Sequence, residues 1–237
     1  MKYVVGSKTV TLVNSQDDFQ GEMDIFKAHE DPFHLHRASS VWLFRKKKEK
    51  RKNNKNFIQV LLQRRSKFKP IGAGQWGNGV CANVRPDENY EESAHRRLYG
   101  ELQIPCFTRA SQSKQDIKID LKPVYKFEYK AYGNEKYSEH ELDQVFIGEY
   151  DGEVLPNPDE VSEVIWVDWQ ELLAKILEKN DQILSAQESL KHSHKQLKRL
   201  AAPIKISINN RNIIIAPWTA LMIIDPKLHK ALGDLSA

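Results

Sequence analysis

A single-domain fold of the α/β or α+β class is what this sequence predicts, and three observations lead there. Short β-like runs are interrupted by one well-marked helical segment, and 237 residues are enough to bury a full core. No stretch is apolar for long enough to span a bilayer or to act as a secretory signal. The two cysteines, Cys81 and Cys106, are too few for a disulfide framework, so a reducing cytoplasm is the expected setting. The net charge is +4, yet residues 45–55, "RKKKEKRKNNK", alone carry more positive charge than the whole chain retains. Because that run lies between two β-like runs and holds no aromatic residue, it is expected to be a solvated hairpin loop, with neither nucleic acid nor membrane as its partner.

The elements follow in order. "KYVVGSKTVTLV" mixes β-branched residues around a Gly-Ser break and reads as β. In "NFIQVLLQRR" a period of two puts Ile58, Val60 and Leu62 on one face with Gln59 and Gln63 opposite, which predicts a strand with one buried side. From Asn89 to Gln103 the period lengthens: Tyr90, Ala94, Leu98 and Leu102 recur every four residues, Asn89 can cap with Glu92 three residues on, and Pro105 closes the helix. "LKPVYKFEYKAYG" and "ELDQVFIGEY" read as paired strands joined by "NEKYSEH", and "VSEVIWVDW" as a strand leading into a helix. That helix is expected from Asp168 to about Leu200, with Leu172, Leu173, Ile176 and Leu177 on one stripe and a break at Asn180-Asp181. "IKISINNRNIII" predicts a hairpin turning at Asn209-Asn210. Residues 178–214 otherwise read as an insertion within one domain spanning 1–237.

Several residue types could support chemistry, each beside a plainer role. If "SEHELDQVF" is extended, Glu139 and Glu141 project from one face roughly 7 Å apart, where like charges repel unless a cation or proton relieves them. A solvent-facing charged edge is the plain alternative. His29 and His36 flank a proline-containing turn, with His34 between them, and imidazoles together with carboxylates make an N/O set suited to Zn²⁺, Mn²⁺ or Fe²⁺. Loop histidines on a polar surface are the other possibility. Glu101 follows Arg97 by one helical turn, which suits a salt bridge, but it sits near the helix C-terminus, where the macrodipole disfavours an anion unless something positive adjoins. Arg65 and Lys69 could hold phosphate oxygens. Cys81 could be an inert small hydrophobe, and Trp218 and Tyr129 could be core.

The order of these residues resembles a known family, the type I isopentenyl-diphosphate isomerases of the Nudix superfamily. "LHRASSVWLF", "LLQRRSKFK", "WGNGVC", "RRLYGEL", "FEYKAY", "EHELDQVF" and "APW" occur in the family's order and, within blocks, at its spacing. The resemblance covers about Val10 to Trp169 and resumes at Pro217-Trp218. It implies a Nudix-fold α/β/α sandwich with a mixed β-sheet and a C-terminal helical extension. Against the Nudix box of clustered glutamates, the chain keeps Glu88, Arg96 and Glu101 but has Ala82, Arg97, Gly100 and Gln103 at two glycine and two glutamate positions. This reduced box is what the isomerases resemble, and it points away from the alternative, a Nudix-type hydrolase of another small or nucleoside diphosphate. The resemblance further implies divalent-metal-dependent conversion of isopentenyl diphosphate to dimethylallyl diphosphate. Cys81 and Glu141 would be the catalytic pair, with Tyr129 assisting proton delivery. His29, His36, Glu139 and Glu141 would hold one metal, either Mn²⁺, Zn²⁺ or Mg²⁺. Glu101 would contact a Mg²⁺ bridging to the diphosphate, Arg65, Lys69 and Arg97 would bind its oxygens, and Trp218 would face a carbocation. Asn83 stands where the family has a further histidine ligand. Ser39, Gly77, Gly79 and Ile25 are lesser departures, with Lys27 close enough to replace a lysine at the last.

Overall fold

The computed structural model describes residues 9–48, 56–105, 119–179 and 203–235. The basic run beyond Lys48, the expected break at Asn180-Asp181, and Cys106 lie outside them.

The chain opens with β1 (Thr9–Val13), β2 (Phe19–Asp24) and a short helix α1 (Ile25–His29), and then enters the long strand β3 (His36–Lys48). β4 (Asn56–Arg65), β5 (Trp76–Gly77) and β6 (Val80–Asn83) lead to helix α2 (Tyr90–Leu102). The strands β7 (Leu121–Tyr132), β8 (Ser138–Glu149) and β9 (Val161–Asp168) precede helix α3 (Trp169–Leu177). After the hairpin β10 (Ile204–Ile208) and β11 (Arg211–Ile215) come helices α4 (Pro217–Ile224) and α5 (Pro226–Gly233).

β3 is the hub of a mixed sheet. It pairs antiparallel with β1, β4 and β6 and parallel with β8, while β4 also takes β9 and β5. Alternation along the central strands separates two apolar layers. Trp42, Ile58, Val60, Leu62 and Val145 face α3, α4 and α5, and Val41, Leu43, Leu61 and Phe146 face α2. Helices therefore cover both sheet faces, the three-layer sandwich that the sequence resemblance implies. Fully burying side chains such as Trp42, Leu62, Leu98 and Ile176 contributes about 1.5–3 kcal/mol each.

The helix at Tyr90–Leu102 has the expected capping box: the Asn89 side chain accepts from the Glu92 backbone, and Glu92 accepts from the Asn89 N–H. Its register sends Ala94, Leu98 and Leu102 into the core. On α3, Leu172 and Ile176 are buried, but Leu177 is 44% exposed at the end of the stripe. The Asn209-Asn210 turn has φ of 50° and 57° at its two residues, the left-handed pair a two-residue hairpin needs. Through Ile215↔Trp76, β11 continues the main sheet in parallel with β5, so residues 204–214 extend the sheet edge.

One expectation is corrected. β4 is central, not one-sided: Leu61 is fully buried and Gln63 is 3% exposed on the face assigned to solvent. The glutamine is tolerated there because its amide donates to Glu101.

Candidate active site

The site is a product of strand register. Across β7, β8 and β3, Tyr129 pairs with Glu141 and Glu141 with His36. One row further along β3, Asp143 and Asn83 flank Ala38. A second step of two residues sets Val145 and Cys81 on either side of Ser40. Successive residues of a strand alternate between faces, so Glu139, Glu141 and Asp143 rise from the same side of β8 as His36, Ala38 and Ser40 of β3. Small Ala38 and Ser40 leave room between the chemical groups. α1, capped by Asp24, delivers His29 to the same place.

His29, His36, Glu139 and Glu141 are all buried, each with a ligating atom within 4.8 Å of the others. The Nδ1 atoms of both histidines meet backbone carbonyls, His29 that of Ile25 and His36 that of His34 at 2.8 Å. Those carbonyls fix the tautomer and leave each Nε2 directed inward. His29 Nε2 is 2.9 Å from Glu139 Oε2, which has no aligned hydrogen-bond donor. His36 Nε2 lies 3.6 Å from Glu141 Oε1 and 3.0 Å from Asn83 Oδ1. A neutral His36 would confront the Asn83 carbonyl oxygen with a lone pair, an arrangement that an intervening cation or a turned amide relieves. Two anchored imidazoles and two buried carboxylates together fit a divalent ion of borderline character.

Protonation without an ion follows from the same contacts. Burial resists charging His29, but the Glu139 carboxylate beside it overcomes this and lifts its pKa to about 9. Burial likewise opposes ionisation of Glu139, and His29 more than compensates, holding the carboxyl below its ordinary range. Burial and then the Glu141 charge push the Cys81 thiol and the Tyr129 phenol well up, so both keep their protons at neutral pH. Tyr129 Oη donates to Glu141 Oε2.

Cys81, Glu141 and Asp143 form a second cluster whose sulfur and carboxylate oxygens also approach within 4.8 Å of each other. Asp143 is fully buried and accepts from Ser40 Oγ at 2.7 Å. Burial first, and the Glu141 charge second, raise its pKa well above that of an ordinary aspartate.

A cleft of about 400 Å³ joins these groups to a cationic wall. Its lining includes His29, Cys81, Glu139 and Glu141 together with Arg65, Lys69, Arg97 and Trp218. The Arg65 guanidinium lies 5.1 Å from the Trp218 ring centre and donates to the Ile71 carbonyl at 3.0 Å. Gly72, at φ +63°, lets the indole in: a Cβ there would stand 2.8 Å from Trp218 Cη2.

The register thus brings together Cys81, Glu141, Tyr129, His29, His36, Glu139 and Asn83, with Arg65, Lys69, Arg97 and Trp218 along the same cleft. It does not bring Glu101 into the histidine–carboxylate cluster. Glu101, 2% exposed, accepts from Arg97 through Oε1 and from Gln63 Nε2 at 2.9 Å through Oε2, so both oxygens are already engaged. Asp143, Ser40 and Glu160 were not foreseen. The two-residue spacing from Glu141 was a usable signal for Asp143, whereas Glu160 has no periodic signature and arrives only through the pairing of β9 with β4.

Fold and site together define a Nudix-type protein: the NUDIX domain matches residues 34–187. A Deinococcus radiodurans crystal structure has a TM-score of 0.50 at 18% identity, covering 72% of this chain and 89% of that one, and shares the fold. Isopentenyl-diphosphate Delta-isomerase 2 of Aromatoleum aromaticum is 32% identical over 70% of this chain and 76% of its own length. The protein of that name from Photorhabdus laumondii is 35% identical over 70% and 81% respectively. The chain belongs to the isopentenyl-diphosphate Delta-isomerase family within the Nudix superfamily, and it is an enzyme.

Proposed function

We propose that the protein converts isopentenyl diphosphate to dimethylallyl diphosphate in a divalent-metal-dependent reaction, as a step of isoprenoid formation in a reducing cytoplasm. The observation that supports this best is the closeness of the Cys81 sulfur to the Glu141 carboxylate in a cleft that Arg65, Lys69 and Arg97 also line. The reaction adds a proton to the terminal alkene carbon, leaves a tertiary cation at the neighbouring carbon, and removes a proton from the next one. Atoms and charge balance when one group gives the first proton and another takes the second. Cys81 on β6 and Glu141 on β8 are two such groups on different strands, and Tyr129, bonded to Glu141, supplies a path for returning the proton.

An alkene is a very poor base, so water must be excluded and the cation stabilised without offering it a nucleophile. The Trp218 indole can do this, worth about 2 kcal/mol when desolvated. Arg65, Lys69 and Arg97 would bind the diphosphate oxygens. His29, His36, Glu139 and Glu141, with Asn83 beside them, would hold a divalent ion such as Mn²⁺, Zn²⁺ or Mg²⁺, which would neutralise the paired carboxylates and favour binding of an anionic substrate. Glu101, which accepts from Arg97 and Gln63, would be the carboxylate available to a second divalent ion, Mg²⁺, that accompanies the diphosphate. We also take residues 1–237 to fold as one domain.

The test is an NMR assay of isopentenyl diphosphate in deuterated water with Mg²⁺ or Mn²⁺, alongside Cys81→Ala and Glu141→Gln. Expected are deuterium in the new methyl group of the allylic isomer, loss of turnover on chelation, and inactivity of both variants. Release of phosphate without any allylic isomer would sink the proposal.

A further inference from the structure

We propose that Glu160 is a positioning residue that sets the two cations Lys69 and Arg97 to receive the anionic end of the substrate, an inference that rests on the diphosphate reading above. A single oxygen, Glu160 Oε2, accepts from Lys69 Nζ at 2.5 Å and from Arg97 Nη2 at 3.0 Å. All three residues line the cleft, together with Arg65.

The backbone holds the carboxylate where it is needed. The Glu160 N–H donates to the Asn157 carbonyl at 3.0 Å, and its own carbonyl accepts from Ser66 at 2.9 Å, three residues before Lys69. Asp159 lies beside it at the cleft, but Lys69 and Arg97 pair with Glu160.

Without this carboxylate the wall would work against itself. Arg97 is also held by Glu101, whose Oε1 accepts from Nε and from the same Nη2 that reaches Glu160, so the guanidinium lies between two carboxylates and Glu160 is the one that ties it to Lys69. Lys69 has a four-carbon stem and would stand among like charges. Burial, and next the Arg65 charge, already depress its pKa. Glu160 counters this, and despite its own burial the Lys69 and Arg97 charges hold its carboxyl at about 2, so it remains ionised at any working pH. A fixed anion behind two cations costs some attraction for an incoming anion. It gains two donors held at one spacing, and a preorganised donor pair favours a bidentate anion.

The experiment measures binding of inorganic pyrophosphate by calorimetry, and kinetics on isopentenyl diphosphate, for the wild type, Glu160→Gln and Glu160→Asp. Glu160→Gln should weaken pyrophosphate binding by about tenfold, the scale of one misplaced charge-assisted hydrogen bond, and raise KM similarly, with kcat within about threefold. Glu160→Asp, which keeps the charge, should recover part of the affinity. Equal or tighter pyrophosphate binding by Glu160→Gln would overturn the proposal, since a carboxylate acting only as a competing charge gives that result. A fall in kcat with KM unchanged would overturn it as well. If the wild type itself fails to bind pyrophosphate, the diphosphate reading falls and takes this inference with it, an outcome separable from the others because it needs no variant.

Discussion

Removing any bound metal and raising the pH should loosen the fold through one residue, His29. In the metal-free protein its pKa rises from an ordinary 6.5 to about 9, because the Glu139 carboxylate outweighs the cost of burying the charge. At about 1.4 kcal/mol per unit, the rise corresponds to about 3 kcal/mol of folding free energy. The folded chain holds the proton more tightly than the unfolded one, so this stability is fully present below pH 6.5 and is lost as the pH climbs through about 9. Urea unfolding of chelator-treated protein at half-unit steps from pH 6 to 9.5 measures it. Cys81 adds a loss of the same sign near the top of that range, because an unfolded thiol ionises at about 8.5 while the buried one does not. The difference between the wild type and His29→Gln isolates the histidine. Parallel curves for the two proteins between pH 6.5 and 8.5 would refute the reasoning, and a saturating divalent ion should flatten the wild-type curve, since the ion replaces the proton between His29 and Glu139.

Gly72→Ala forces a side chain onto a backbone at φ +63° and against the Trp218 ring, and should lower unfolding free energy by about 1–3 kcal/mol in urea titration and alter tryptophan emission. Leu98→Ala empties the contact between α2 and the sheet and should cost about 2–5 kcal/mol by the same measurement. Cys81→Ala should reduce kcat by at least about a thousandfold while leaving the thermal midpoint within a few degrees, because it removes a proton-transferring thiol but only one small atom from a partly buried side chain.

Local signals were strong where one chemical rule decides the conformation. The Asn89–Glu92 box and the Asn209-Asn210 turn form as their residue types require. Residues 138–140 were read as part of a connection, yet β8 begins at Ser138, because the hairpin ladder runs on to the Tyr132–Ser138 pair and residue polarity does not show that pairing. Gln63 misled for the same reason, because polarity alone points to solvent and only the folded sheet supplies the Glu101 partner. The histidine–carboxylate group was legible from residue types and family spacing. The counter-ions behind the cationic wall were not, because Glu160 is separated from Lys69 by 91 positions.

That β3 lies between β6 and β8 has a practical result. Distances among Cys81, Asn83, His36 and Glu141 are inherited from the hydrogen-bond lattice, with no dependence on how a loop settles. A slip of one residue in any of these strands would turn that strand's side chains to the other layer and break the constellation. Exchanging Asn83 for another donor, such as histidine, therefore tests coordination chemistry at a spacing already determined, and makes this position the natural place to probe the proposed ion site.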